Sequence, residues 1–308
     1  MTTRLYTHPA CIEHNPGRMH PERPARLQAI LAALDAPPFA RLARREAPLG
    51  TVEQIARNHP EPFVRAALAA VPKSGLVDLG DEVLLSPGSG EAALRAVGAV
   101  CAAIDAVIAG EASNAFCAVR PPGHHAEPLG PMGFCLFNNV AIGAQHARAV
   151  HGLERVAVVD FDVHHGNGTQ AAFERDPNLF YASTHEWPLY PGTGAASERG
   201  VGNIWNAPLA PGSGSQEFRA AFSERILPAL QAFGPELILI SAGFDAHADD
   251  PLASLRLREE DYAWVTHELC RLAAATASGR VVSALEGGYD LEALAASTAA
   301  HVEALMAH

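Results

Sequence analysis

Short apolar runs alternate along this chain with longer segments whose apolar positions recur every three to four residues. Val/Ile-rich runs at 115–119, 156–160, 179–183, 236–241 and 280–284, with a short one from Arg4 to Thr7, predict β-strands. Helical periodicity predicts a helix opening after His20-Pro21-Glu22-Arg23-Pro24 and running to about Leu34. It returns at 91–109, 139–151, 216–233, 259–277 and 291–306. Strand–helix alternation of this kind predicts an open, doubly wound parallel α/β sheet with helices on both faces. No internal repeat, low-complexity tract or linker interrupts it, so one domain over 1–308 is expected. Four loops, 72–90, 121–135, 185–215 and 245–258, exceed a minimal connection and are rich in Gly, Pro and Ser. Loops of that kind usually carry function.

Polar clusters follow four of the strands. The first is Asp160-Phe161-Asp162-Val163-His164-His165-Gly166-Asn167-Gly168, behind Arg155–Val159. Alternation along a strand would send Asp160, Asp162 and His164 to one side of its end. The second, Ser241-Ala242-Gly243-Phe244-Asp245-Ala246-His247, follows Glu236–Ile240. Asp162, His164 and Asp245 make three oxygen and nitrogen ligands with no thiolate, a set that suits Zn2+, or Fe2+ and Co2+ as substitutes. Three protein ligands leave a position open, as in catalytic rather than structural zinc. The third cluster is Arg120-Pro121-Pro122-Gly123-His124-His125-Ala126, and the fourth Leu285-Glu286-Gly287-Gly288-Tyr289-Asp290. In the fourth, Gly287 and Gly288 give the Tyr289 phenol freedom to swing over a site. Four such clusters meet only if their strands lie parallel in one sheet.

Composition narrows the class. The 308 residues are 48% hydrophobic and 18% charged, enough for a large core. A formal charge of −12 with no basic run argues against a nucleic-acid surface. No uncharged apolar stretch reaches the length of a membrane span, and no signal peptide is evident. Five cysteines without C-x-x-C spacing read as reduced, cytoplasmic residues. Lys73 is the sole lysine amid many arginines and alanines, a usage that suggests a GC-rich bacterial genome.

The motifs RPPGHHA, GFCLFNN (133–139), DFDVHHGNGTQ (160–170), SAGFDAH and LEGGY, with HPERPARL at 20–27, resemble those of the zinc-dependent histone deacetylases. The likeness covers nearly the whole chain, and Asn167 and the LEGGY form are closest to the class II branch and its bacterial relatives. It implies an arginase/deacetylase-like fold. It also implies a zinc-dependent amidohydrolase that removes an acetyl or other short acyl group from an acyl-lysine or related acylated amine. By the same resemblance Asp162, His164 and Asp245 would hold zinc, and His125 would be the general base and then the acid toward the leaving amine. His124 would act mainly through its charge or a hydrogen bond, with Asp160 behind it, while Asn167 would stand behind His125. Tyr289 would donate to the oxyanion. Gly133, Phe134, Tyr190 and Leu252 would line an apolar tunnel, with Gly287 and Gly288 beside the substrate. Backbone carbonyls at Asp160, Asp162 and His164, with Ser183 and Thr184, would match a structural K+ site. Arg23 would stand near an internal cavity that releases the acid product.

Substrate identity is less legible. A polyamine-preferring branch carries an acidic gatekeeper immediately after an Asp-Pro, where this chain has Leu252, which favours an acyl-lysine or another small acyl amide. Glu127, Glu186 or Asp249 could still supply a charge from another loop. Asp81 and Glu82 are candidates for gripping substrate at the rim. Alternatives are an acetylpolyamine amidohydrolase and a non-catalytic sensor of small acylated ligands. An arginase-type dinuclear site lacks a second cage, because His247 and Gly166 stand where further aspartates would be needed. His8, His14 and His20 read as loop hydrogen-bonding residues and Trp264 as core. The apolar stripe at 291–306 reads as core or a contact in a homo-oligomer.

Overall fold

The computed structural model describes residues 2–308. Its strands, in chain order, are β1 (Thr3–Thr7), β2 (Ala43–Glu46), β3 (Val77–Asp78), β4 (Leu84–Leu85) and β5 (Asn114–Cys117). They continue with β6 (Val156–Asp160), β7 (Leu179–Glu186), β8 (Ile204–Leu209), β9 (Leu237–Ala242) and β10 (Val281–Leu285). Eight of them form one sheet in the order β2-β1-β5-β10-β9-β6-β7-β8, and β3 and β4 form a separate hairpin. Every pairing in the large sheet is parallel. Helices flank it as the alternating pattern predicts. Ser89–Ile108 packs on Asn139–His151, and Leu291–Met306 packs on both Pro24–Leu34 and Glu259–Thr276.

All residues of β5, β6, β9 and β10 are buried. Burial on both faces is why these strands read as continuous apolar runs rather than alternating ones. From β5 the chain moves outward through β6, β7 and β8, then returns to insert β9 and β10 between β5 and β6. That reversal gathers the carboxyl ends of β5, β10, β9 and β6, the place where open α/β sheets collect ligands. All four polar clusters start there.

The structure corrects the sequence reading in places. β6 ends at Asp160, so Asp162 and His164 lie in the turn beyond it. Strand alternation therefore does not bring them together; the turn does. β2 is a strand despite its sequence Ala-Arg-Arg-Glu, as suits an exposed edge where charge discourages further pairing. β8 forms the opposite edge inside a stretch read as loop. Helices Val52–Ile55, Glu61–Ala69 and Asn167–Phe173 were also unforeseen. The 216–233 helix is interrupted by a π-helical turn over Phe222–Ile226.

Candidate active site

Asp162, His164 and Asp245 offer three ligand atoms within 4.8 Å of one another, all on buried residues. The His164 Nδ1 lies 3.0 Å from Asp162 Oδ1 and 3.2 Å from Asp245 Oδ2. Backbone amides orient both carboxylates. Val163 N–H donates to Asp245 Oδ1 at 2.8 Å, and Gly287 N–H to Asp162 Oδ2 at 2.8 Å. The Gly287 backbone comes so close that a Cβ there would stand 2.0 Å from Asp245 Oδ2, so only glycine fits. Asp245 Oδ2 is buried and makes no hydrogen bond, facing only the His164 ring at 3.2 Å, and a coordinated cation would satisfy it. Burial opposes charge on His164, yet Asp162 and Asp245 push it up to about 10, so the pocket strongly favours positive charge. The donor set therefore fits a divalent metal ion.

A second group of metal-ligating type, Asp105, His146 and His151, does not fit as well. Arg57 lies with a guanidinium nitrogen 2.6 Å from His146 Nδ1, and arginine only donates. The His146 proton therefore sits on Nε2 and points at Asp105 Oδ1, 2.7 Å away, leaving no lone pair for a metal.

The adjacent histidines have opposite electrostatic states. His124 Nδ1 is 3.0 Å from Asp160 Oδ2. Burial disfavours its charge, but Asp160 and Asp162 overrule this and push it up to about 10. Asp160 itself is fixed by the Asp162 N–H at 3.1 Å and the Tyr181 hydroxyl at 3.2 Å. His125 is held well below the usual histidine range by burial and by the charges of His124 and His164. Its Nδ1 meets Asn167 Oδ1 at 2.8 Å. The Asn167 amide is oriented by Nδ2, which donates to Glu127 Oε1 at 2.9 Å. An amide oxygen accepts only, so His125 carries its proton on Nδ1 and presents a bare Nε2.

Glu286, which the sequence reading passed over, ties the loop of Gly123 and His124 to the tyrosine turn. Its Oε2 accepts the Gly123 N–H at 2.7 Å and the His124 N–H at 3.2 Å. Arg26, also unforeseen, donates to the Gly288 and Glu286 carbonyls, each at 2.5 Å, and stacks over the Tyr289 ring at 4.9 Å. Arg26 is the arginine that reaches this turn, and Arg23 is half-buried. Both Glu286 and Arg26 were hidden because a single charged residue carries no periodic signal.

A cavity of about 230 Å³ opens over these groups, lined by Glu82, His125, Gly133, Phe134, His164, Leu189, Tyr190, Leu252 and Tyr289. Tyr190 and Leu252 are half-exposed at its mouth, and Tyr190 meets His125 edge-to-face at 5.2 Å. Phe134 adopts a left-handed backbone (φ 67°) beside Gly133, which throws its ring toward Tyr289 at 6.1 Å. Among the expected lining residues, Gly288 carries the Tyr289 turn without facing the cavity, and Gly287 supports the carboxylates. Ser183 pairs with Asp160 in register across β6 and β7, and Ser183 and Thr184 are both buried there. His14 bonds Ser89 and pairs with Glu22, and His20 and His8 bond local backbone, as the loop reading expects. Trp264 packs on Phe218 and Phe222.

An open parallel α/β sheet, with a carboxylate–histidine cluster and a histidine pair at its strand ends, has the parts of a metal-assisted hydrolytic site. A model of the histone deacetylase domain matches residues 20–305, and the chain belongs to the histone deacetylase family. It is 42% identical to histone deacetylase 14, chloroplastic, of Arabidopsis thaliana, over 98% of this chain and 76% of that protein. It is 41% identical to the histone deacetylase-like amidohydrolase of Pseudomonas aeruginosa, over 88% and 72%. The crystal structure of the HDA15 HD domain is similar with a TM-score of 0.94 at 34% identity, covering 100% of this chain and 89% of that one. The chain is thus an enzyme, a deacetylase-family hydrolase acting on amides.

Proposed function

We propose that this enzyme removes an acetyl or other short acyl group from an acyl-lysine or related acylated amine, with zinc held by Asp162, His164 and Asp245. The observation that carries the proposal is the bare Nε2 of His125, fixed by Asn167, beside the three-ligand cluster. When bound, such an ion polarises a carbonyl and acidifies water, as Lewis acids do. Fe2+ or Co2+ would satisfy the same donors.

His125 takes the proton from attacking water at Nε2 and delivers it to the leaving amine. General acid–base help of this kind is typically worth about 10²–10⁴-fold. His124, paired with Asp160, keeps a fixed positive charge beside the reacting carbonyl. Tyr289 donates its phenol to the developing oxyanion. Its proton is secure, because burial holds the hydroxyl well above the usual phenol range. Phe134, Leu189, Tyr190 and Leu252 exclude water and grip an extended apolar arm. Hard backbone oxygens around Asp160, Asp162 and His164, with Ser183 and Thr184, are proposed to hold K+. The five cysteines are unpaired and buried, which supports a reducing, cytoplasmic setting. No helix among the described residues is long and apolar enough to cross a membrane.

Glu82 supports a second reading. Its carboxylate belongs to the cavity wall and has no ionic partner among the described residues, so it offers a distal ammonium a site that Leu252 does not. That favours an acetylpolyamine. The deciding experiment compares an acetyl-lysine peptide with N-acetylputrescine and N-acetylspermidine, using zinc-loaded protein and His125→Ala. Peptide turnover abolished in the variant supports the first reading, and polyamine preference the second. Silence on all three substrates at full zinc occupancy would remove acetyl-lysine and the acetylpolyamines together, and leave another acyl group or a ligand sensor.

A further inference from the structure

Leu252 and Tyr289 wall the same cavity from different loops, and one buried side chain joins them. Asp250 accepts the Leu252 N–H on Oδ1 at 3.0 Å and the Tyr289 N–H on Oδ2 at 2.7 Å. It is 7% exposed, does not line the cavity, and has no cationic partner among the described residues. Burying a carboxylate against backbone amides alone is costly, so its position calls for a reason. The turn it holds supplies one. Gly288 sits at φ +119°, where side chains are rarely found, so the Gly287-Gly288-Tyr289 turn has little stiffness of its own. Arg26 grips its carbonyls from one side, and Asp250 grips its amide from the other.

We propose that Asp250 is a positioning residue, which fixes Tyr289 over the cavity and sets the phenol's aim at the reacting carbonyl. The proposal rests on the oxyanion role given to Tyr289 above. Asparagine is nearly the same size but has one acceptor oxygen, so its amide nitrogen would face one of the two N–H groups and one tie would be lost.

The test is a double-mutant cycle joining Asp250→Asn and Asp250→Ala with Tyr289→Phe, scored by kcat, KM and zinc per chain. A misplacement near 1 Å can cost about 10²-fold, so we expect kcat to fall roughly tenfold for Asp250→Asn and up to about a hundredfold for Asp250→Ala. KM should move far less, and zinc content should stay at the parent value. In the Tyr289→Phe background the Asp250 substitutions should cost no further kcat, because the phenol they misplace is gone, and any loosening of Leu252 shows in KM alone. Equal losses in both backgrounds, or a loss of zinc that tracks the loss of kcat, would overturn the proposal. If Tyr289→Phe itself kept full kcat, the oxyanion role would fall first, and the cycle reads that result separately.

Discussion

Asn167 decides what His125 is able to do. Its amide oxygen, 2.8 Å from Nδ1, fixes the proton there without adding a charge, and burial together with His124 and His164 keeps the ring neutral. Asn167→Asp would place an anion at that distance, and a nearby opposite charge favours the protonated ring. His125 would then hold a second proton to higher pH and lose its free lone pair. The expected outcome is that the acidic limb of the kcat/KM profile moves to higher pH in Asn167→Asp, while zinc content is unchanged. An acidic limb that stays in place would show that His125 does not set it. Tyr289→Phe tests the neighbouring group: removing one oxyanion donor should cost about 10²–10³ in kcat without loss of metal. Both predictions concern residues whose chemistry was legible in the sequence, because Asp160, Asp162 and Asp245 gathered with two histidine pairs at strand ends have little structural use. Glu286, Arg26 and Asp250 were not legible. Each acts by meeting backbone groups brought close only by the fold.

Elements explain which parts of the fold were readable. The interior strands announced themselves because covering both faces demands apolar side chains at every position. β2 and β8, at the two edges, need no such run: β2 is Ala-Arg-Arg-Glu, and β8 carries Asn206 and Pro208. The β3–β4 hairpin was read as loop, yet it places Glu82 in the cavity wall. Its turn holds Asp81 at φ 47° and Glu82 at φ 64°, closed by the Val83 N–H on the Gly80 carbonyl at 2.9 Å. Hairpin turns with two positive φ values favour Asn-Gly, so a charged pair here carries strain. Replacing Asp81-Glu82 by Asn-Gly should leave the fold intact and stabilise it by up to about 1 kcal/mol, seen as a small rise in melting temperature. The same change should raise KM for acetylpolyamines and spare a neutral acetyl-peptide. A fall in melting temperature would show that the side chains hold the turn, and an unchanged polyamine KM would remove Glu82 from substrate recognition.

Over the whole molecule, the fold buries several histidines away from the metal cluster as neutral groups, and this sets its response to acid. His59, His185 and His301 are pushed down to about 4, about 4 and about 3 by burial. His301 lies between helices Glu259–Thr276 and Leu291–Met306 and the sheet, with Thr266 Oγ1 at 2.6 Å and Ser283 Oγ at 2.9 Å. The unfolded chain protonates each of these rings near 6.5, whereas the native chain does so only near its depressed value. Between those limits the unfolded state binds more protons, so stability is fully present above pH 6.5 and is lost as pH falls. His124, pushed up to about 10, adds nothing to this slope, because near pH 5 it is protonated in both states. Close to one proton per buried ring near pH 5 gives roughly 4 kcal/mol of stability per pH unit for the three together. Denaturant melts at pH 7, 6 and 5 should therefore show a steepening loss. His301→Gln, which keeps a polar group within reach of Thr266 and Ser283, should start less stable at pH 7 but lose about 1.4 kcal/mol less per pH unit near pH 5, the share of one ring. Parallel curves for the parent and His301→Gln would mean that His301 is already protonated in the native protein.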